Sequence, residues 1–358
     1  MRTIAVMNYK GGCGKTTIAV NLSCALSRLD KRVLLVDIDP QSHATVGLGI
    51  DSAGLNATTS ELLMDPSVRL EDAIVRRTDT LSVIPASTVL SGVEQELAGV
   101  DGRERRLAEK LYQIGEDAFD FVLIDCPPSI GVLTFNALIA SGEVLIPADA
   151  SYFSLHGLVN LRETIDLLQD ALDHRLHVRV LCNNLETRTR FAREVVAEVE
   201  KIHSGVMIDT FISHTVRLKE CSARGVSIFD IDERSKVSQQ FLSLAQELIE
   251  KAPKLKTRDM KAWMERIHGP RKVPEGVLFT LEAPNATFVT VTGDFTNWSW
   301  EGIPLVRDPK DGIWKAVIDI EPGRYEYRFI IDGRWSRDPA NTQAIRNEFG
   351  QENSLLVV

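Results

Sequence analysis

The chain has 358 residues, 44% hydrophobic and 25% charged, with 41 Lys+Arg against 50 Asp+Glu and a formal net charge of −9. This composition excludes a disordered or fibrous chain, and the length suggests two domains. No stretch reaches the ~18 consecutive apolar residues of a membrane-spanning helix, and the acidic total argues against a surface coated with basic charge while leaving room for a local basic patch.

The opening MRTIAVMN has one basic residue, then a strand-like run with no small-residue cleavage site after it, so no secretory leader is expected. β-branched runs then alternate with helix-period segments. Strands are expected at 3–8, 33–38, 81–84, 121–125, 144–147 and 178–182, with helices at 16–29, 131–139 and 155–172. That alternation predicts an α/β fold, a mostly parallel sheet with helices on both faces. Continuous apolar runs such as VLLVDI and FVLIDC suit its buried strands. Residues 251–274 carry eight basic side chains against Asp259 and Glu265, and Pro253, Pro270 and Pro274 interrupt any continuous helix. They read as a basic linker with one short helix near 259–267. From 275 to 358 the alternation in GVLFTLEA, ATFVTVTG, IWKAVIDI and RYEYRFIID, punctuated by turn signals, predicts a small C-terminal all-β sandwich. The expected division is therefore 1–250, 251–274 and 275–358. Cys13, Cys24, Cys126, Cys182 and Cys221 are scattered with no C-x-x-C pair, which suits a reducing compartment, the cytoplasm.

The sharpest chemical signal is Lys10-Gly11-Gly12-Cys13-Gly14-Lys15-Thr16-Thr17, between the first strand and the first helix. Glycines let backbone N–H groups curl around phosphate oxygens, and the helix N-terminus adds its positive end. Lys15 is placed to reach the β- and γ-phosphates and Thr16 to ligate Mg²⁺. Asp125, ending an apolar strand, is placed to hold that metal through water. Asp37-Ile38-Asp39-Pro40 ends the strand after the first helix. By itself it is a polar strand end before a turn; beside a phosphate loop it lies where open α/β sheets bind ligands.

Segment 10–17 resembles the deviant Walker A motif of the ParA/MinD family, including its extra early lysine. Asp37-Ile-Asp-Pro-Gln41 resembles the family's switch I, and Asp125-Cys-Pro-Pro-Ser-Ile-Gly-Val-Leu-Thr-Phe-Asn136 its Walker B and switch II, closest to the chromosome- and plasmid-partition branch. Ile146-Pro147 and Tyr152-Phe-Ser-Leu-His-Gly157 fit that branch as well. The resemblance implies a P-loop NTPase fold and an ATPase that forms a homodimer on ATP binding, with Lys10 reaching the partner's nucleotide. It implies that Asp39 positions or activates the attacking water and that slow turnover is accelerated by a ParB-like protein. Cys13 departs from the family's usual small residue; it is either an oxidation-sensitive thiol or a buried filler.

The same resemblance implies non-specific DNA binding in the ATP state and a nucleoid-associated location. Arg188, in Leu185-Glu-Thr-Arg188-Thr, and Arg217, in Val216-Arg217-Leu218, match the branch's DNA-contacting motifs, although Lys219-Glu-Cys-Ser replaces its usual Ser-Glu-Ala-Pro. Both are also readable as solvated surface arginines, and the linker as a tether or as a source of phosphate contacts. A membrane-surface role for Met260, Trp263, Met264 and Ile267 is weaker than docking on a domain, and no stable membrane attachment is expected.

In the C-terminal segment, Gly293-Asp294-Phe295, Asn297-Trp298, Gly312-Ile-Trp314, Tyr325-Glu-Tyr327-Arg328-Phe329, Asp332-Gly-Arg-Trp335 and Asp338-Pro339 form an ordered series. It looks like the glycogen-binding module of AMP-activated kinase β subunits and of branching and debranching enzymes. The resemblance implies that Trp298 and Trp335 stack on the apolar faces of an α-glucan, helped by Arg328, Phe349, Gln351 and Asn353. Trp314, inside an alternating strand, is assigned to packing. The expected protein is thus a partition-type ATPase fused to an α-glucan module. Its alternatives are a nucleotide-controlled scaffold with no DNA role and an iron–sulfur reductase built around Cys126.

Overall fold

The computed structural model describes the chain apart from residues 101, 116, 150–160, 162, 167–168, 170–173, 186–204, 254–268, 282, 284–285, 310–311, 342 and 348–349. It divides into two compact units, Met1–Thr257 and Arg258–Val358. No helix among the described residues is long and apolar enough to cross a membrane.

The first unit is built on a seven-stranded sheet among the described residues. Its strands are β1 (Arg2–Val6), β2 (Val33–Asp37), β3 (Val75–Arg76), β4 (Leu81–Ile84), β5 (Phe121–Asp125), β6 (Glu143–Ala148) and β7 (His177–Cys182), in the order β3-β4-β2-β5-β1-β6-β7. All neighbours are parallel except β3, which pairs antiparallel with β4 at the edge. Strands β2, β5 and β6 are buried along their whole length, as the uninterrupted apolar runs require when helices cover both faces. The helix Lys15–Arg28 packs Ile18, Leu22, Ala25 and Leu26 into one core with Phe241, Leu244 and Leu248 of the helix Lys236–Glu250. The helix expected at 131–139 is found at Val132–Ala140. The one expected at 155–172 falls largely outside the described residues, as does the short linker helix at 259–267. Register puts Val6, Asp37 and Asp125 side by side at the carboxyl ends of β1, β2 and β5, where open α/β sheets bind their ligands.

The second unit is two antiparallel sheets. One contains β10 (Val289–Gly293), β11 (Ile303–Pro304), β14 (Arg324–Ile331), β15 (Arg334–Ser336), β16 (Ala344–Arg346) and β17 (Glu352–Val357); the other contains β8 (Arg271–Val273), β9 (Gly276–Leu281), β12 (Val306–Arg307) and β13 (Trp314–Ile318). Val277, Phe279 and Trp314 of the second sheet share a core with Val289, Val291, Tyr327 and Phe329 of the first, a sandwich packing of inward-facing alternate residues. Trp314 is buried and its indole N–H donates to the Ala283 carbonyl at 3.0 Å. Strand β8 pairs with β9 from inside the stretch read as linker. Arg271-Lys-Val273 is not fully buried at any position, so an edge strand there leaves little apolar alternation to read in the sequence.

Candidate functional site

After β1 the chain turns through residues 8–14 into the helix Lys15–Arg28. Asn8 braces the turn, donating from Nδ2 to the Pro147 carbonyl at 2.8 Å and accepting the Lys10 N–H at 3.1 Å. Gly14 caps the helix with φ of +89°, and a Cβ there would stand 2.3 Å from Asn183 Nδ2, which itself donates to the Cys13 carbonyl at 2.8 Å. Only glycine meets both demands. The helix begins with no side-chain cap and no acidic residue in its first turn, so the first-turn N–H groups, those of Lys15, Thr16 and Thr17 among them, are left for an anion. Lys15 is buried, with Nζ folded back to the Lys10 carbonyl at 3.3 Å. Gly11 and Gly12 stand open: an added Cβ would meet nothing within 4 Å at either position. Cys13 is buried and burial pushes its thiol pKa up, which makes it a filler rather than a reactive group.

Asp37, Asp39 and Asp125 are all buried beside this loop, and the structure separates their roles. Asp37 is saturated: Oδ2 accepts the Thr45 N–H at 2.8 Å and the Thr45 hydroxyl at 2.7 Å, while Oδ1 accepts the Asp39 N–H at 3.2 Å. It fixes the loop that carries Asp39. Burial pushes its pKa up to about 6 despite these donors. The Asp39 carboxylate accepts a local bond, from the Gln41 N–H at 2.9 Å. Neither oxygen of Asp125 is met by a donor in hydrogen-bonding geometry. Burial, then the charge of Asp37, holds its pKa well above the usual carboxylate range, with Thr16 and Lys15 alongside drawing it down.

A buried carboxylate with both oxygens orphaned is costly unless a cation or its waters complete it. Hard oxygen donors beside an uncapped helix end suit a magnesium-bound nucleoside triphosphate. Thr16 and Asp125 would hold the metal, the backbone of 11–17 and Lys15 the phosphates, and the bound ion supplies charge neutralisation across them. Lys10 is held in its own subunit: Nζ donates to Asp149 Oδ2 at 2.6 Å. Cys126 is fully buried and burial raises its thiol pKa strongly.

Arg217 opens the helix Arg217–Arg224 and is ion-paired with Asp232. Arg188 lies outside the described residues, as does Phe349.

On the second unit, Trp298, Arg328, Trp335, Gln351 and Asn353 converge on one cleft of about 730 Å³ together with Asp294, Glu326, Arg346 and Asn347. The Trp298 and Trp335 rings lie 6.2 Å apart, inclined by 36°. Trp298 is fixed by its indole N–H donating to Asp294 Oδ1 at 2.9 Å, and Asp294 Oδ2 accepts the Glu326 N–H at 2.6 Å. Asn297 and Trp298 both sit at positive φ, +48° and +56°. Such backbone costs about 1–3 kcal/mol per residue and is concentrated at ligand clamps. Arg328 lies over the Trp335 ring, 5.7 Å from its centroid, donates to Gln351 Oε1 at 2.5 Å, and has a buried Nε with no partner. Asn353 donates to Glu326 at 2.9 Å and accepts from Asn347 at 3.1 Å. Apolar faces and convergent polar groups of this kind suit a carbohydrate.

Several participants escape a reading of the sequence. Asp149 is 139 residues from Lys10 and stands in no motif. Asn183 follows β7 with nothing to announce its contact with the loop. Asp294, Glu326 and Asn347 act through other residues of the cleft. The alternation in β14 places Glu326 on the same face as Arg328, which the resemblance had already singled out.

Comparison with known proteins is consistent across both units. The family model described as "AAA domain" matches residues 1–178, and that described as "Glycogen recognition site of AMP-activated protein kinase" matches 277–358. Sporulation initiation inhibitor protein Soj of Bacillus subtilis is 41% identical over 248 residues, covering 69% of this chain and 98% of Soj. Chromosome partitioning protein ParA of Myxococcus xanthus is 38% identical over 251 residues, 70% of this chain and 88% of that protein. Among solved structures, cobyrinic acid a,c-diamide synthase from Mycobacterium smegmatis with a bound ATP analogue and magnesium aligns with a TM-score of 0.61 at 31% identity, covering 72% of this chain and 99% of that one. The ATP complex of a Cyanothece McdA variant aligns at 0.62 and 25%, covering 69% and 96%. The chain therefore belongs to the Soj/ParA family of P-loop partition ATPases and carries a glycogen-recognition domain behind the ATPase domain.

Proposed function

We propose that the first unit is a nucleotide switch: magnesium-ATP bound by residues 11–17 and Asp125 brings two copies together, and hydrolysis, slow until a ParB-like partner stimulates it, separates them. The observation that carries this reading is the uncapped helix end facing an Asp125 whose oxygens are both orphaned. Phosphoryl transfer needs positioning and charge stabilisation more than covalent chemistry. The backbone cradle and Lys15 hold the phosphates, Asp39 orients the attacking water, and Lys10 crosses to the other nucleotide once it leaves Asp149. In the ATP state the dimer binds DNA without sequence preference through Arg188 and Arg217, in the cytoplasm and on the nucleoid. The partition names of the relatives support this. The second unit binds glycogen or a related α-glucan at Trp298, Arg328, Trp335, Phe349, Gln351 and Asn353, tethering the polymer as cargo or reporting on it. The first task falls to Met1–Thr257 and the second to Arg258–Val358; of the expected division at 1–250, 251–274 and 275–358, the linker gives up Arg271–Val273 to the second unit's sheet.

Calorimetry with magnesium-ATP, followed by co-sedimentation with glycogen in ADP and in a non-hydrolysable ATP analogue, tests both sites and their coupling. Lys15→Ala abolishes nucleotide uptake and nucleotide-dependent dimerisation on this account; uptake at the parent affinity refutes it. A scaffold without a DNA role is favoured by one observation, the engagement of Arg217 by Asp232. Gel shifts with non-specific duplex DNA separate the two: no ATP-dependent shift at low salt removes the DNA role.

A further inference from the structure

We propose that Trp300 is a third sugar-binding ring, one that engages an α-1,4-glucan beyond the stretch held by Trp298 and Trp335; the inference rests on the α-glucan reading of that cleft. Trp300 is 60% exposed and takes no part in the sandwich core. Its ring meets Trp335 edge-on, centroids 5.6 Å apart and planes at 61°. Trp298, Trp335 and Trp300 therefore form one continuous aromatic run. The first two line the cleft with Arg328, Asn347 and Gln351, whereas Trp300 stands outside its lining and joins the run through Trp335.

The segment that carries it is held at both ends. The Trp298 N–H donates to the Gly293 carbonyl at 3.0 Å, the Thr292 hydroxyl donates to the Ser299 carbonyl at 2.8 Å, and the Gly302 N–H donates to that same carbonyl at 3.2 Å. Trp300 is thus presented by an ordered turn rather than left on a loose loop. A large amphipathic ring exposed in continuity with a sugar cleft has the chemistry to stack on the C–H face of a further glucose unit. Short oligosaccharides satisfied by Trp298, Trp335 and Arg328 gain nothing from it. Longer chains leaving the cleft past Trp335 meet it, so Trp300 sets a preference for extended glucan over short maltooligosaccharides.

Calorimetry on the full chain with maltotriose, maltopentaose, maltoheptaose and glycogen tests this, using Trp300→Ala, Trp300→Phe and Trp335→Ala with near-UV circular dichroism to check folding. Trp300→Ala is expected to hold maltotriose within about twofold of the parent and to lose about fivefold to tenfold on maltoheptaose. Trp300→Phe restores most of that loss, and Trp335→Ala weakens every ligand. Equal loss at every length overturns the proposal, because Trp300 then only buttresses Trp335. Unchanged affinity at every length overturns it too, because the ring then touches no sugar. An unsubstituted chain that binds none of the four ligands instead refutes the α-glucan reading, before any substitution is made.

Discussion

Lys10 is held at 2.6 Å by Asp149 of its own subunit, yet its proposed task lies across a dimer. The pair must open before the lysine crosses, so its strength opposes assembly. The side chains are 36% and 17% exposed, too wet for a large net Coulomb gain, and pairs of this kind contribute about 1 kcal/mol. A symmetric dimer opens the pair in each subunit, which makes about 2 kcal/mol per assembly, or about 30-fold in the dimerisation constant. Asp149→Asn keeps the shape and removes the charge. Sedimentation velocity in a non-hydrolysable ATP analogue should show the variant dimerising at about 30-fold lower protein concentration. Adding Lys10→Ala should erase the gain and lose the dimer, since the two substitutions act on one contact. A dimerisation constant for Asp149→Asn within about twofold of the parent, or weaker than it, refutes the competition.

Gly14→Ala places a Cβ 2.3 Å from Asn183 Nδ2 at φ +89°; ATP affinity by calorimetry should fall more than about tenfold, with backbone strain of about 1–3 kcal/mol added to a displaced Asn183. On the proposed roles, Asp39→Ala removes the water-positioning group but not the metal or phosphate holders, so single-turnover hydrolysis should drop about 100-fold while ATP still binds and dimers persist. Tyr327→Phe removes a buried hydroxyl that donates at 2.5 Å to the buried Asp338. Leaving that carboxylate short of a donor costs about 1.5–3 kcal/mol, and the unfolding midpoint of the second unit should fall by about 6 °C or more in calorimetry.

The parts legible in the sequence are those whose physics is local. Strands β4 and β5 fall at their expected bounds because turn residues end each run abruptly, and the burial of β5 along its whole length follows from its uninterrupted apolar run. The loop at 10–17 is legible because a phosphate needs several adjacent N–H groups from one turn. Less is legible where a contact joins distant segments. Strand β3 is two residues long, too short for any period to show. Asp149 and Asn183 are ordinary polar residues until the fold brings them to Lys10 and Cys13. Trp314 is legible as a packing residue from the strand alternation around it, whereas the positive φ at Trp298 is outside what side-chain pattern records, since a bulky residue there runs against backbone preference.

The carboxylate cluster has a thermodynamic consequence of its own. Asp37 has a folded pKa of about 6, above its unfolded value of about 3.9, because burial penalises the charged form. The folded, nucleotide-free chain therefore binds more protons than the unfolded one across that interval. Stability contributed by this group falls as pH rises from about 4 through about 6, and Asp125 is pushed in the same direction. Ligation of the ionised pocket by magnesium-nucleotide reverses the sign, since whatever binds only the folded, ionised form stabilises it by mass action. The midpoint gain from magnesium-ATP on the first unit's unfolding should then be larger at pH 7.5 than at pH 5, and the nucleotide-free slope should flatten in Asp37→Asn. A nucleotide-free midpoint that climbs between pH 5 and 6 in the parent and equally in Asp37→Asn refutes a burial-driven shift. The proton balance thus gives the pocket a readout independent of turnover, because it reports whether these carboxylates await a cation or are merely packed.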